Sequence, residues 1–201
     1  MAKPMPDVTS KLKLVRDEVI ACQKCSLYQT RQNPVVGTGN HHAKIMFVGE
    51  APGAQEDKTA HPFCGASGKF LDELLNHAGV RREDVYIANL LKCRPPGNRD
   101  PEFQEIETCT GYLQRQITAI NPSALCSLGR HSMSYLMQKL GLGDKLKSIS
   151  QIHGQVFVAR EWLPGIKFIP FYHPAVAVYN SGMKEALKKD FEVLKKLDLV
   201  L

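Results

Sequence analysis

Apolar positions recur along this chain with two different periods, and the switches between them outline its elements. Val8, Leu12, Leu14, Val15, Val19 and Ile20 fall at roughly helical spacing, which predicts an amphipathic helix over 8–21. Lys44-Ile-Met-Phe-Val48 is a short unbroken apolar run that stops at Gly49, the pattern of a buried strand. Glu50-Ala-Pro-Gly53 then reads as a turn, and Phe70, Leu71, Leu74 and Leu75 place a helix over 67–77. The same reasoning predicts strands over 84–91, 124–128, 155–159 and 167–171. It predicts helices over 101–120 and 132–140, and a lysine-rich closing helix over 181–197.

Strands separated by helical stretches imply β–α–β units, hence an α/β fold of three layers, α/β/α, with a mostly parallel central sheet. Ligands of such sheets bind beyond the C-terminal ends of the strands. Three polar residues stand at those ends: Glu50 after the first strand, Asn89 near the end of the second and His173 after the last. With no internal repeat, low-complexity tract or long linker, residues 1–201 are expected to form a single domain.

Charge changes this picture only a little. Lysine and arginine outnumber aspartate and glutamate, 26 against 20, which suits a polyanionic partner and equally a merely soluble basic protein. No apolar run is long enough to span a membrane, and Met1 to Ser10 lacks the apolar core of a secretory signal. A cytoplasmic protein with reduced thiols is expected, in which six cysteines suggest metal binding or core packing rather than disulfides. Cys22 and Cys25 form a C-x2-C pair at a helix end, and Cys93 and Cys109 flank the start of the helix over 101–120. Four converging thiolates suit tetrahedral zinc or an iron–sulfur cluster, and spacing leaves both open. Cys126 lies inside an apolar strand and reads as core, while Cys64 reads as a small filler beside Phe63.

Longer motifs are more specific. Gly49-Glu-Ala-Pro-Gly-Ala-Gln-Glu-Asp57 with His61-Pro-Phe-Cys-Gly-Ala-Ser-Gly68 resembles the first motif of the family 4 uracil-DNA glycosylases. Asn89-Leu-Leu-Lys-Cys-Arg-Pro-Pro-Gly-Asn-Arg-Asp-Pro101 and Tyr172-His-Pro-Ala175 resemble two further family motifs, in order and at compatible spacing. The chain departs from the pattern at Ala177-Val-Tyr-Asn180, where a basic residue is common, and at Cys64 and His153. The resemblance implies the uracil-DNA glycosylase fold with a four-stranded central sheet. It also implies a [4Fe–4S] cluster on Cys22, Cys25, Cys93 and Cys109, which decides the metal question for iron–sulfur.

By the same resemblance the reaction is hydrolysis of the bond between uracil and deoxyribose in single- or double-stranded DNA, leaving an abasic site. Such an enzyme flips the nucleotide out of the helix into a pocket. Phe63 resembles the stacking residue, and Asn89 the reader of the uracil edge. Glu50 and His173 are the expected catalytic pair, one orienting water and one donating to the uracil anion. Ala51 and Gly53 are expected to offer backbone N–H groups to the base, and Glu56 to stand near its C5. Lys92, Arg94, Arg99, Lys184, Lys188 and Lys189 are the expected DNA contacts, and a monomer is expected. Nothing in the sequence identifies a protein partner such as a sliding clamp. The alternative reading is a module that grips uracil-containing DNA without turnover. One related group traps the sugar through a histidine in an insertion between the third and fourth cysteines, and here 94–108 contains neither histidine nor insertion.

Overall fold

The computed structural model describes residues 7–197, so the first six residues of the polar N-terminal stretch lie outside the described residues. Six strands form one sheet: β1 (Thr38–Gly39), β2 (Ile45–Gly49), β3 (Tyr86–Asn89), β4 (Ala124–Leu128), β5 (Phe157–Val158) and β6 (Lys167–Phe171). Their spatial order is β1-β3-β2-β4-β6-β5. The inner four pair in parallel, and the two-residue strands at either edge pair antiparallel. The sheet thus has six strands where the resemblance implied four: β5 falls within the stretch 155–159 already read as a strand, and β1 was not foreseen. A stretch as brief as Thr38–Gly39 has no apolar alternation to reveal it.

The central strands are apolar on both faces, which is why they read as continuous runs. Ile45 and Phe47 point into one core with Ile87, Cys126 and Phe171, while Met46 and Val48 point into the other with Ala88, Leu125 and Phe168. The first core is closed by α3 (Ala66–His77) and α8 (Lys184–Phe191), the second by α1 (Val8–Ile20), α4 (Phe103–Ile120) and α5 (Arg130–Lys139). A smaller third cluster joins Val15 and Val19 of α1 to Leu27, Leu91, Cys93, Cys109 and Tyr112. Among the described residues, no helix is long and apolar enough to cross a membrane.

Local differences from the expected elements concentrate near the strand ends. The stretch after the Glu50–Gly53 turn is a helix, α2 (Ala54–Thr59), where no element was expected; its six residues are nearly all polar and carry no apolar period. The brief α6 (Ile149–Ile152) and α7 (Ala175–Tyr179) are likewise too short to show one. α5 starts at Arg130, two residues before the expected Ser132, which draws His131 into its first turn. The closing helix is interrupted, with 3-10 turns at Ser181–Met183 and Glu192–Lys196 on either side of α8.

Candidate active site

A cleft of about 360 Å³ opens at the C-terminal ends of the parallel strands, and Glu50, Ala51, Gly53, Glu56, Phe63, Asn89 and His173 all line it. The strand register explains the convergence of three of them. Gly49 and Asn89 are opposed at the ends of β2 and β3, and pairing continues past them through Leu90 N–H to Gly49 O and Leu91 N–H to Glu50 O. β6 ends at Phe171, whose carbonyl accepts from Gly129 N–H, and the chain then delivers His173 to the cleft.

Asn89 is only 2% exposed, and its Oδ1 is buried with no hydrogen-bond partner. A buried amide left in this state costs about 1–3 kcal/mol, so its neighbours must hold it there. Gly49 makes the space: a Cβ at that position would lie 2.3 Å from Asn89 Oδ1 and 2.9 Å from the Phe63 ring. Phe63 holds a left-handed backbone, φ 52°, which disfavours any residue with a side chain. Two contacts fix it. Arg82 Nη2 donates to the Pro62 and Phe63 carbonyls at 2.9 and 3.1 Å, and Gly68 lets the Phe63 carbonyl approach where a Cβ would sit 1.8 Å away. The Phe63 ring lies 5.5 Å from that of His173, centroid to centroid.

His173 is the most perturbed base of the cleft. Burial pushes its pKa down to about 4, with Glu56 opposing, so the imidazole is neutral near pH 7. Ala175 N–H donates to Nδ1 at 3.1 Å, which puts the remaining proton on Nε2. A neutral hydrogen-bond donor results. Glu50 behaves oppositely: burial raises its pKa, with nearby Asp100 adding to the rise and His131 and Arg130 opposing it. Glu56, in the first turn of α2, accepts from Gly65 N–H at 3.3 Å and so ties α2 to the Phe63 loop. Asp57, missed in the sequence, is buried and accepts from Gln32 N–H at 3.0 Å, anchoring α2 from behind.

Cys22, Cys25, Cys93 and Cys109 line a separate, narrow cavity of only about 10 Å³. Arg31 Nη1 donates to Cys93 Sγ at 3.1 Å and Lys92 N–H donates to Cys109 Sγ at 3.3 Å. Cys126 is buried in the sheet core and Cys64 is exposed, so neither joins the four.

The expected DNA contacts need one correction. Lys92 is 1% exposed, and its Nζ donates to Asn89 O at 2.9 Å and to Gln116 Oε1 at 2.8 Å. It is a buried strut and offers nothing to a phosphate. Arg94 bonds Asn98 at 2.7 Å, and Arg99 lines the cleft with its guanidinium paired to Glu105 at 2.6 Å. Lys184 sits over the Phe70 ring at 5.7 Å, and Lys188 pairs with Glu185 at 2.8 Å. Tyr179 lines the cleft and is 89% exposed. Asp100 and His131 join Glu50 in one ionisable group whose ligand atoms lie within 4.8 Å of one another. The clue to His131 was its place just after β4, the same strand-end position that singled out Glu50 and His173.

Residues 36–195 match the model of the family described as the uracil DNA glycosylase superfamily. The chain is 48% identical to a type-4 uracil-DNA glycosylase of Saccharolobus solfataricus, over 92% of this chain and 85% of the relative. It is 45% identical to one of Sulfurisphaera tokodaii, over 92% and 84%, and 44% identical to one of Archaeoglobus fulgidus, over 90% and 89%.

Proposed function

The chain belongs to the uracil DNA glycosylase superfamily, and from that premise we propose that it hydrolyses the N-glycosidic bond of deoxyuridine in DNA, the first step of uracil repair. The observation that carries this reading is the buried, unpartnered Oδ1 of Asn89 in a cleft shared with a neutral histidine. Uracil offers what that amide lacks. Its N3–H donates to Oδ1 while its O4 accepts from Nδ2, and cytosine reverses both polarities. A site built on such pairs rejects the wrong base because buried groups would be left unpaired. The Phe63 ring supplies the stacking face for a flipped base.

Bond cleavage leaves negative charge on uracil and positive character on the sugar. His173, protonated at Nε2 and neutral overall, donates to the uracil oxygen as charge develops there, an effect worth roughly 10²–10³ in rate for one well-placed donor. Glu50 serves the other half of the reaction: its carboxylate orients the attacking water and faces the cationic sugar. Backbone N–H groups at Ala51 and Gly53 complete the cradle, and Glu56 stands where a thymine methyl would need room.

Cys22, Cys25, Cys93 and Cys109 would hold an iron–sulfur cluster of the [4Fe–4S] type. What favours the cluster over zinc is the resemblance of the flanking motifs to family 4. The donor set also fits an anionic centre, with Arg31 and the Lys92 N–H already directed at sulfur. When bound, the cluster would brace the N-terminal helix against the strand-end loops and take no part in hydrolysis. The protein is read as a single-domain monomer acting on single- or double-stranded DNA inside the cell, with Arg94, Arg99 and Lys184 as backbone contacts.

The test is incubation of the cluster-loaded protein with a uracil-containing oligonucleotide, then alkaline cleavage. Scission at the uracil position is expected, and an intact strand would overturn the reading.

A further inference from the structure

One buried polar atom behind Glu50, beside the cleft, remains without a role. His131, in the first turn of α5, has its Nε2 buried and without a hydrogen-bond partner. That atom stands 3.8 Å from Glu50 Oε2 and 3.4 Å from Asp100 Oδ1, between two carboxylates. Asp100 is held in turn by the Arg130 guanidinium, and Arg99 Nη1 donates to its carbonyl at 3.0 Å. The ionisable groups around Glu50 are therefore His131 and Arg130 from α5 and Asp100 from the loop preceding α4, with Glu56, Arg99 and His173 in the same cleft. A small rotation of either side chain brings Nε2 within hydrogen-bond range of Glu50.

We propose that His131 is a positioning residue for hydrolysis, which donates to the Glu50 carboxylate, fixes its orientation toward water and keeps it ionised. The need for such a partner follows from the surroundings. A half-buried carboxylate beside a second carboxylate tends to take up a proton, and a protonated Glu50 neither accepts from water nor faces a sugar cation favourably. His131 answers both problems from one side, and the Asp100–Arg130 pair holds the ring in place. The inference rests on the reading of Glu50 as the water-orienting group.

The experiment is the pH profile of single-turnover uracil excision, from about pH 5 to 9, for the wild type, Glu50→Gln, His131→Leu, His131→Gln and Asp100→Asn. The acidic limb of His131→Leu should move to higher pH, with a loss of about 10-fold near pH 5.5 and a smaller, roughly few-fold loss near pH 8.5, where only the orienting donor is missed. His131→Gln, which keeps an N–H donor, should recover most of the rate at the alkaline end. Asp100→Asn should move the limb to lower pH, because it removes the charge that raises Glu50. An unmoved limb in the His131 variants, or limbs that move the same way in His131→Leu and Asp100→Asn, would overturn the proposal; a loosened loop would produce the second result. If His131→Leu does not fold, the opposed shifts of His131→Gln and Asp100→Asn decide in its place. Wild-type turnover by Glu50→Gln would instead overturn the underlying role of Glu50, a failure distinguishable from the others.

Discussion

Two sites of opposite character share one stretch of chain. Asn89 lines a roomy cleft and leaves its side-chain oxygen unsatisfied, while Cys93, four residues on, faces a narrow cavity where N–H donors already point at sulfur. Lys92 joins them, its Nζ on the Asn89 carbonyl and its N–H on Cys109 Sγ. The difference separates two tasks. The thiol side spends its polar groups on holding the frame, and the cleft keeps polar groups in reserve for a substrate that completes them.

That contrast can be broken most sharply from the cleft side. His173→Ala should lower single-turnover uracil excision by about 10²–10³-fold, with binding to abasic-site DNA changed only a few-fold; equal losses in both would make His173 a binding or folding residue. Gly49→Ala should act next most strongly, since its Cβ would press on Asn89 Oδ1 and the Phe63 ring. Excision should drop by more than about 10-fold while urea unfolding changes by only about 1–3 kcal/mol.

From the other side, Cys109→Ser should abolish visible charge-transfer absorbance and lower the thermal midpoint by at least about 5 °C, corresponding to a loss of roughly 2 kcal/mol or more. Excision measured well below that midpoint should fall far less than it does for His173→Ala. Lys92→Met probes the join itself, leaving Asn89 O and Gln116 Oε1 without their donor. A stability loss of about 1–3 kcal/mol with a several-fold slower excision is expected; the same stability loss with unchanged excision would show the two sites to be mechanically separate.

The smallest effect on excision comes from the titration of the neutral histidine. Its folded pKa of about 4 lies below the ordinary histidine value of 6.5, so the unfolded chain binds the extra proton. The associated stability is fully present above about pH 6.5 and is lost progressively as pH falls toward 4, by up to about 1.4 kcal/mol per unit. His173→Asn should flatten that part of the profile of urea midpoint against pH. Excision by the wild type should not decline as pH rises from 6.5 to 8, since no imidazolium is required.

Much of the frame was legible because the inner strands are buried on both faces and read as unbroken apolar runs. The convergence of Glu50, Asn89 and His173 followed from strand-end positions alone, and the flanking motifs then suggested their chemistry. What could not be read depended on partners distant in sequence. Lys92 sits in a basic motif and looks like a surface contact until Gln116 of α4 and the Asn89 carbonyl close over it. His131 meets Glu50 only because β2 and β4 are neighbours in the sheet. The polar helix α2 carries no period to detect and is held in place by Glu56 and Asp57 reaching loops on either side.

The central claim is that the unsatisfied carbonyl of Asn89 reads the edge of uracil, and single-turnover excision by Asn89→Ala tests it most directly. The prediction is a rate at least about 10²-fold below the wild type on a uracil-containing oligonucleotide, with abasic-site DNA bound as before. Excision within two- to threefold of the wild-type rate would contradict it.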